Sequence, residues 1–210
     1  ASDIKYLHKR GVEIGIVVGG GNILRGLAGS RKYKIPAAEL DELGMIATTI
    51  NGGALALALK KLKIPNSVLS AIPISPSVGS KFSSIEAIKL LTQKHVLIFV
   101  GGTSNPFFTT DTAAVLRALQ INADVLLKST NVKGIYEKDP NKFPDAKFYK
   151  EVTYKKALKK DLKIMDLTAF SLAMDKNLPI IVFNGEVKNN LKKVIMGKNI
   201  GTIIKGGNNG

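Results

Sequence analysis

Between residues 102 and 111 the chain reads Gly102-Thr103-Ser104-Asn105-Pro106-Phe107-Phe108-Thr109-Thr110-Asp111, leaving one apolar stretch and entering another. A strand-to-helix junction of this composition suits a phosphoryl group. The first N–H groups of a helix lack intrahelical partners and carry partial positive charge. The hydroxyls of Thr103, Ser104, Thr109 and Thr110 add donors, and Asn105-Pro106 fixes a tight turn. The same residues also fit an ordinary capped helix with Thr109 or Thr110 as the cap, and residue types alone leave both readings open. A related junction occurs earlier, where a β-branched run ends in Gly19-Gly20-Gly21-Asn22. Three glycines put no side chain between the backbone and an anion. Arg25 follows, with a fork of donors that suits the same ligand. Neither a Gly-Lys-Ser/Thr phosphate loop nor a Gly-x-Gly-x-x-Gly dinucleotide turn is present. A tight strand-to-helix turn explains the glycine triplet equally well.

The surrounding pattern supplies elements to position these turns. Apolar, β-branched runs predict strands over 12–18, 67–72, 95–100, 123–128, 180–183 and 202–204. A helix ending near residue 9 is stopped by Gly11. A long helix is predicted over 37–62, with Leu40, Leu43, Ile46, Ala47, Ile50, Ala54, Leu57 and Leu62 on one broad apolar side. Ser83-Ser84-Ile85-Glu86 is a capping box that opens a helix to about residue 91. Further helices are predicted over 112–120, 154–158, 166–175 and 191–196. The Lys/Asp/Pro-rich stretch within 135–152 reads as hairpin-like connections. Alternating strands and helices predict an α/β fold, a three-layer αβα sandwich with a mainly parallel central sheet and ligands at the carboxyl ends of strands. Both glycine turns lie at such ends.

Composition narrows the function classes. The 210 residues, 45% of them hydrophobic, suffice for one domain with a sizeable core. The absence of a twenty-residue apolar run gives no expectation of a membrane span, and the polar first residues do not read as a signal peptide. Zero cysteines exclude disulfides and thiolate metal sites, which suits a reducing, cytoplasmic setting. No metal site is expected from protein ligands. His8 reads as a helix-surface residue and His95 as a strand-entrance residue, neither with a catalytic role. A net charge of +15 would suit a nucleic-acid binder. The lysines, however, are spread at helix-surface spacing through Lys60-Lys61, Lys155-Lys156, Lys159-Lys160 and Lys192-Lys193. With no Trp and no aromatic stacking platform, nucleic acid is not the expected partner.

Taken together the motifs resemble the amino-acid-kinase superfamily, and within it the UMP kinases of bacteria and plastids. The resemblance is carried by Gly19-Gly20-Gly21-Asn22 with Arg25-Gly26, Asp41-Glu42-Leu43-Gly44-Met45, Thr103 through Asp111, and Thr130-Asn131-Val132 with Gly134. Asp139-Pro140, Met165-Asp166, Leu178-Pro179 and Val182-Phe183-Asn184 continue it in the same order, so nearly the whole chain is covered. It implies one domain over 1–210 that transfers the γ-phosphoryl group of ATP, with Mg²⁺, to UMP. By resemblance Gly20, Asp41, Thr103, Ser104, Asn105, Pro106, Phe107, Phe108, Thr109 and Thr110 bind UMP, with Asp41 accepting from the ribose. Gly21, Arg25, Thr130, Tyr136 and Asp139 serve ATP, and Arg25, Asp111 and Asp166 form the catalytic set. Asp111 and Asp166 also fit a helix first turn and a helix cap. The resemblance further implies a homo-oligomer, a hexamer built of dimers, in the cytoplasm or a plastid-type organelle.

Three departures qualify it. Members of that family begin with a strand and a Lys-x-Ser-Gly turn that supplies a phosphate-binding lysine, whereas this sequence opens inside what should be the following helix. The expectation is that a preceding segment carries that turn; the alternative is a degraded kinase. The usual Asp before Gly134 is Lys133, and arginines implicated in GTP activation are replaced near Ala56 and Ser67. Two other readings stand beside the UMP one: a kinase for another small acid such as acetylglutamate, glutamate or carbamate, and a non-catalytic nucleotide sensor or nucleic-acid-binding regulator.

Overall fold

The computed structural model describes residues 1–24 and 34–206. The chain divides into two compact units, Ala1–Ile121 and Asn122–Gly210. Among the described residues, the first unit contains helix α1 (Ser2–His8), strand β1 (Gly15–Val17), helix α2 (Ala37–Lys61), strands β2 (Asn66–Ser70) and β3 (Ser80–Lys81), helix α3 (Ser84–Thr92), strand β4 (Val96–Val100) and helix α4 (Thr110–Gln120). Its sheet has the order β1-β4-β2-β3, and every pairing is parallel.

All five residues of β4 are buried, so the strand alternates between two cores, as the pleat requires. Val96, Ile98 and Val100 point to a cluster with Leu59, Ile64 and Val68, joined by Ile4 of α1 and Leu55 and Ala56 of α2. Leu97 and Phe99 point the other way, to Leu69, Ala87 and Leu91, joined by Phe82 and Ile121. The first unit is therefore helix on sheet on helix, the layering expected of a doubly covered parallel sheet.

The broad apolar side predicted for 37–62 is in fact two faces. Leu40, Ala47, Thr48, Gly52 and Leu59 are buried, whereas Leu43, Ile46, Ile50 and Leu57 are exposed. A helix apolar on both sides cannot reveal by periodicity which side is covered. By length and composition alone α2 is apolar enough to cross a membrane, a test that core helices of a globular domain also pass. Its inner face is nevertheless committed to the sheet: a methyl added at Gly52 would overlap Val100 of β4.

The second unit contains β5 (Leu126–Thr130), β6 (Ile135–Tyr136), β7 (Phe148–Tyr149), β8 (Glu151–Thr153), α5 (Tyr154–Lys159), α6 (Leu167–Asp175), β9 (Ile180–Asn184), α7 (Asn190–Ile195) and β10 (Thr202–Lys205). Its sheet has the order β5-β9-β10-β8, parallel except for the β9–β10 pair. The stretch read as hairpin-like forms the antiparallel ribbon β6-β7 and then enters β8. Tyr154 anchors the core of this unit, its ring edge-on to Phe170 at 5.0 Å and its hydroxyl donating to the Leu178 carbonyl at 2.5 Å. Burial pushes that phenol up to about 12.

The remaining elements follow the prediction with small shifts. The helix expected at 112–120 starts at Thr110, because Thr109 is its cap, and the strand expected at 123–128 lies two to three residues later. The strand expected at 12–18 is ordered as β-structure only from Gly15 to Val17. His8 Nε2 donates to the Lys94 carbonyl at 2.8 Å, and His95 Nδ1 lies 2.9 Å from the Ser67 hydroxyl. Both contacts are structural.

Candidate functional site

The glycine turn after β1 and the loop after β4 lie next to one another in the first unit because their strands pair directly. A methyl at Gly19 would sit 3.3 Å from the Thr110 hydroxyl. Gly20 is packed tighter still: its missing Cβ would fall 2.5 Å from the Gly44 carbonyl, 3.0 Å from Ala47 Cβ and 3.1 Å from Thr48 N. The Gly20 carbonyl then accepts from the N–H groups of Ile23 and Leu24 at 2.9 and 3.0 Å, so the triplet opens directly into a turn.

Helix α2 ties the two turns together through residues that the sequence reading did not single out. Thr48, 5% exposed, accepts from the Gly101 N–H at 2.7 Å and donates to the Met45 carbonyl at 2.6 Å. Asn51 donates to the Gly19 carbonyl at 2.7 Å and to Asn22 Oδ1 at 2.7 Å. The sequence did carry a signal for both, since polar side chains on the covered side of an apolar helix must find partners there.

The loop from Gly101 to Thr109 is locally over-determined. Gly101 and Gly102 have φ of 77° and 57°, and the non-glycine residues Ser104 and Phe107 have φ of 69° and 70°. Left-handed conformations cost L-residues roughly 1–2 kcal/mol each, so two outside glycine imply compensating contacts. Thr103 Oγ1 accepts from the Asn105 N–H at 3.2 Å, the Asn105 side chain donates to the Thr103 carbonyl at 3.2 Å, and Ser104 N–H donates to the Gly101 carbonyl at 3.1 Å. Across the loop, Phe107 N–H donates to Asp41 Oδ2 at 3.0 Å. Phe107 and Phe108 themselves stay exposed, at 74% and 50%, and offer aromatic faces at the rim.

Thr109 is the cap of α4, accepting from the N–H groups of Asp111 and Thr112 at 3.1 and 3.3 Å. The capping reading therefore holds for Thr109, while Asp111 stands in the first turn of the same helix, complementing its dipole. The first unit thus gathers Gly20, Asp41, Thr103 through Thr110 and Asp111 around two strand ends. Pro106 lies within the same loop. Gly21 adjoins this cluster, and Arg25 lies outside the described residues.

The other predicted residues belong to the second unit. Thr130, at the end of β5, donates to the Val132 carbonyl at 2.9 Å. Tyr136, on the β6-β7 ribbon, lies 5.2 Å from Phe148 between ring centroids, and Lys133 sits 4.6 Å above that Phe148 ring. Asp139 accepts from the Asn141 N–H at 3.0 Å. Asp166 caps α6, accepting from the Ala169 N–H at 2.9 Å. Among the described residues no group of three His, Asp or Glu side chains could hold a metal ion.

Comparison with known proteins agrees with this architecture. The amino acid kinase family model matches residues 1–184. The chain belongs to the amino acid kinase family. A uridylate kinase of Bacteroides thetaiotaomicron is 47% identical over 204 residues, which cover 97% of this chain and 86% of that one. A uridylate kinase of Yersinia enterocolitica is also 47% identical, with coverages of 97% and 82%. Among solved structures, the UMP kinase of Bacillus anthracis superposes with a TM-score of 0.93 at 32% identity, covering 97% of this chain and 84% of that one. The UMP kinase of Ureaplasma parvum gives 0.92 at 36% identity, with coverages of 97% and 86%. This chain shares the amino acid kinase fold, with its mainly parallel sheet and helices, with these structures.

Proposed function

We propose that this chain is a kinase that transfers the γ-phosphoryl group of ATP to UMP, giving UDP and ADP, as a single amino-acid-kinase domain made of both units. The observation that carries the reading is the Gly102–Asp111 loop. It is bonded to Asp41 at the Phe107 N–H, presents the exposed rings of Phe107 and Phe108, and ends on the N-terminus of α4. A nucleoside monophosphate needs these three things together: donors for phosphate, an aromatic rim for the base and a carboxylate for the ribose.

The acceptor is a phosphate oxygen whose second pKa of about 6 leaves it largely dianionic at neutral pH, so no strong general base is required. Catalysis is then positioning plus charge neutralisation. Gly20 and the Thr103–Thr110 loop hold UMP. Gly21 and Arg25 serve the ATP phosphates, while Thr130, Tyr136 and Asp139 line the adenine-nucleotide side. By the family resemblance Asp111 organises the cationic groups and Asp166 completes the catalytic set. Mg²⁺ fits this reading as a partner of the ATP phosphates. The setting is the cytoplasm or a plastid-type organelle.

The deciding experiment is a coupled ADP-release assay on the full-length protein across UMP, CMP, dUMP, glutamate and carbamate. UMP should be phosphorylated much faster than the rest. Equal rates with CMP, or activity only with a small acid, would sink the reading.

The homo-oligomer is supported by the outer face of α2. Leu43, Ile46, Ile50 and Leu57 are 52, 51, 61 and 69% exposed along one stripe. Glu39 lies at its N-terminal end and Lys61 at its C-terminal end. Two copies crossing antiparallel about Ile50 set Leu43 against the partner's Leu57, Ile46 against the partner's Ala54, and Glu39 against the partner's Lys61. The stripe is thus self-complementary in apolarity and in charge, as a two-fold interface requires. A hexamer would be three such pairs. Ile50→Glu places two carboxylates together at the axis and should halve the assembly measured by sedimentation; an unchanged mass would exclude this face.

A further inference from the structure

Arg117, in the last turn of α4, is 5% exposed. Its guanidinium carbon lies 4.0 Å above the ring of Phe82, Nη1 donates to Gln120 Oε1 at 2.6 Å, and Nη2 donates to the Gly102 carbonyl at 3.3 Å. Among the described residues no carboxylate pairs with it, and burial alone holds its pKa below the ordinary arginine value. A buried charge without a counter-ion is costly, and an apolar side chain of similar length would fill this space at lower cost. The ring of Phe82 and the last turn of α4 both favour a cation here without giving it a counter-ion, so burying the charge needs a further reason.

The position of the Gly102 carbonyl gives one. A trans peptide carries its C=O and the following N–H on opposite sides. Drawing the Gly102 carbonyl inward onto Arg117 turns the Thr103 N–H outward, into the loop that ends at α4. The same bond steadies Gly102, whose φ of 57° makes this peptide easy to flip. The guanidinium also leaves a positive charge directly beneath the loop, screened from solvent and so effective over a longer distance than a surface lysine.

We propose that Arg117 is a positioning residue for the phosphate of the acceptor: it fixes the Gly102–Thr103 peptide and supplies a buried positive charge whose counter-ion is the phosphate dianion of UMP. This rests on the reading of the loop as the UMP site. It makes the bound nucleotide part of the electrostatic balance of the first unit, which carries an unmatched cation until the phosphate arrives.

The test compares UMP with uridine, which shares base and ribose but has no phosphate, on the full-length protein. Arg117→Met keeps the volume and removes the charge and the fork. It should weaken UMP binding by about tenfold or more, leave uridine binding and the KM for ATP within about twofold, and leave the melting temperature unchanged or higher. Arg117→Lys keeps the charge without the fork and should fall between wild type and Arg117→Met for UMP. Should Arg117→Met fail to fold, the lysine variant decides, with UMP weakened by about threefold and uridine unchanged. Equal losses for UMP and uridine, or UMP affinity unchanged in a folded variant, would overturn the proposal. Wild-type protein that binds no UMP would instead remove the UMP reading itself, and this inference with it.

Discussion

Replacing Gly20 by alanine should lower UMP-dependent ADP release by about a hundredfold or more and lower stability by roughly 2–3 kcal/mol. The new methyl would have to occupy space 2.5 Å from the Gly44 carbonyl and 3.0 Å from Ala47 Cβ. The first of these atoms belongs to the backbone of α2, so no side-chain rotation relieves it. Either α2 moves away or the glycine turn does. Thr48 stands on the same turn of the helix and holds Gly101 through its hydroxyl, so a shift of α2 also disturbs the second loop. Gly44→Ala is the control. Its methyl would meet the Leu24 carbonyl at 3.9 Å, an ordinary van der Waals distance, and alanine gains helix propensity worth up to about 1 kcal/mol. Thermal melts and turnover on both variants check the pair. A Gly20→Ala protein that melts and turns over like wild type would show that the turn and α2 are not tightly joined.

The glycine triplet illustrates what the sequence reveals and what it withholds. Although β1 is only part-buried rather than buried on both faces, that Gly19-Gly20-Gly21 ends a strand was legible, because β-branched runs followed by glycines have few other uses. Why Gly20 has no side chain was not. The reason is the approach of a helix that begins at Ala37, and a close approach between distant segments leaves no local mark. The same holds for Thr48 and Asn51. Their polarity on a covered face announces a partner, but only the fold names Gly101 and Gly19. For α2 the difficulty is reversed. Its apolar residues are spread over both sides and leave little amphipathic periodicity, so the buried side stays undetermined and the stripe centred on Ile50 becomes visible only once the sheet is in place. Residue type narrows the caps to Thr109 or Thr110 and to Asp166, and the structure makes them Thr109 and Asp166, each holding first-turn N–H groups of the helix it precedes. In those two cases the structural and functional readings coexist, since a cap that orders a loop also positions whatever that loop binds.

Asp41 is where the sequence reading and the structure combine into the sharpest test. The family resemblance gives its carboxylate to the ribose of UMP, and the structure commits one oxygen, Oδ2, to the Phe107 N–H at 3.0 Å. That bond helps hold Phe107 at a φ of 70°, a conformation that an aromatic residue does not adopt unassisted. A carboxylate has acceptor capacity for both tasks. Asp41→Asn retains an acceptor oxygen for Phe107 but loses the charge, and should weaken UMP binding by roughly 1.5–3 kcal/mol with the fold intact. Asp41→Ala loses the brace as well and should weaken it further. Comparing UMP with dUMP separates the contributions. A carboxylate that accepts from the ribose 2′-hydroxyl makes wild type prefer UMP, and the preference should shrink in Asp41→Asn. A carboxylate that only braces the loop predicts equal losses for both nucleotides. If neither nucleotide loses affinity in Asp41→Ala, the aspartate is a surface acid at the start of α2, and the Phe107 backbone must be held by the Thr109 cap and the Thr103–Asn105 bonds alone.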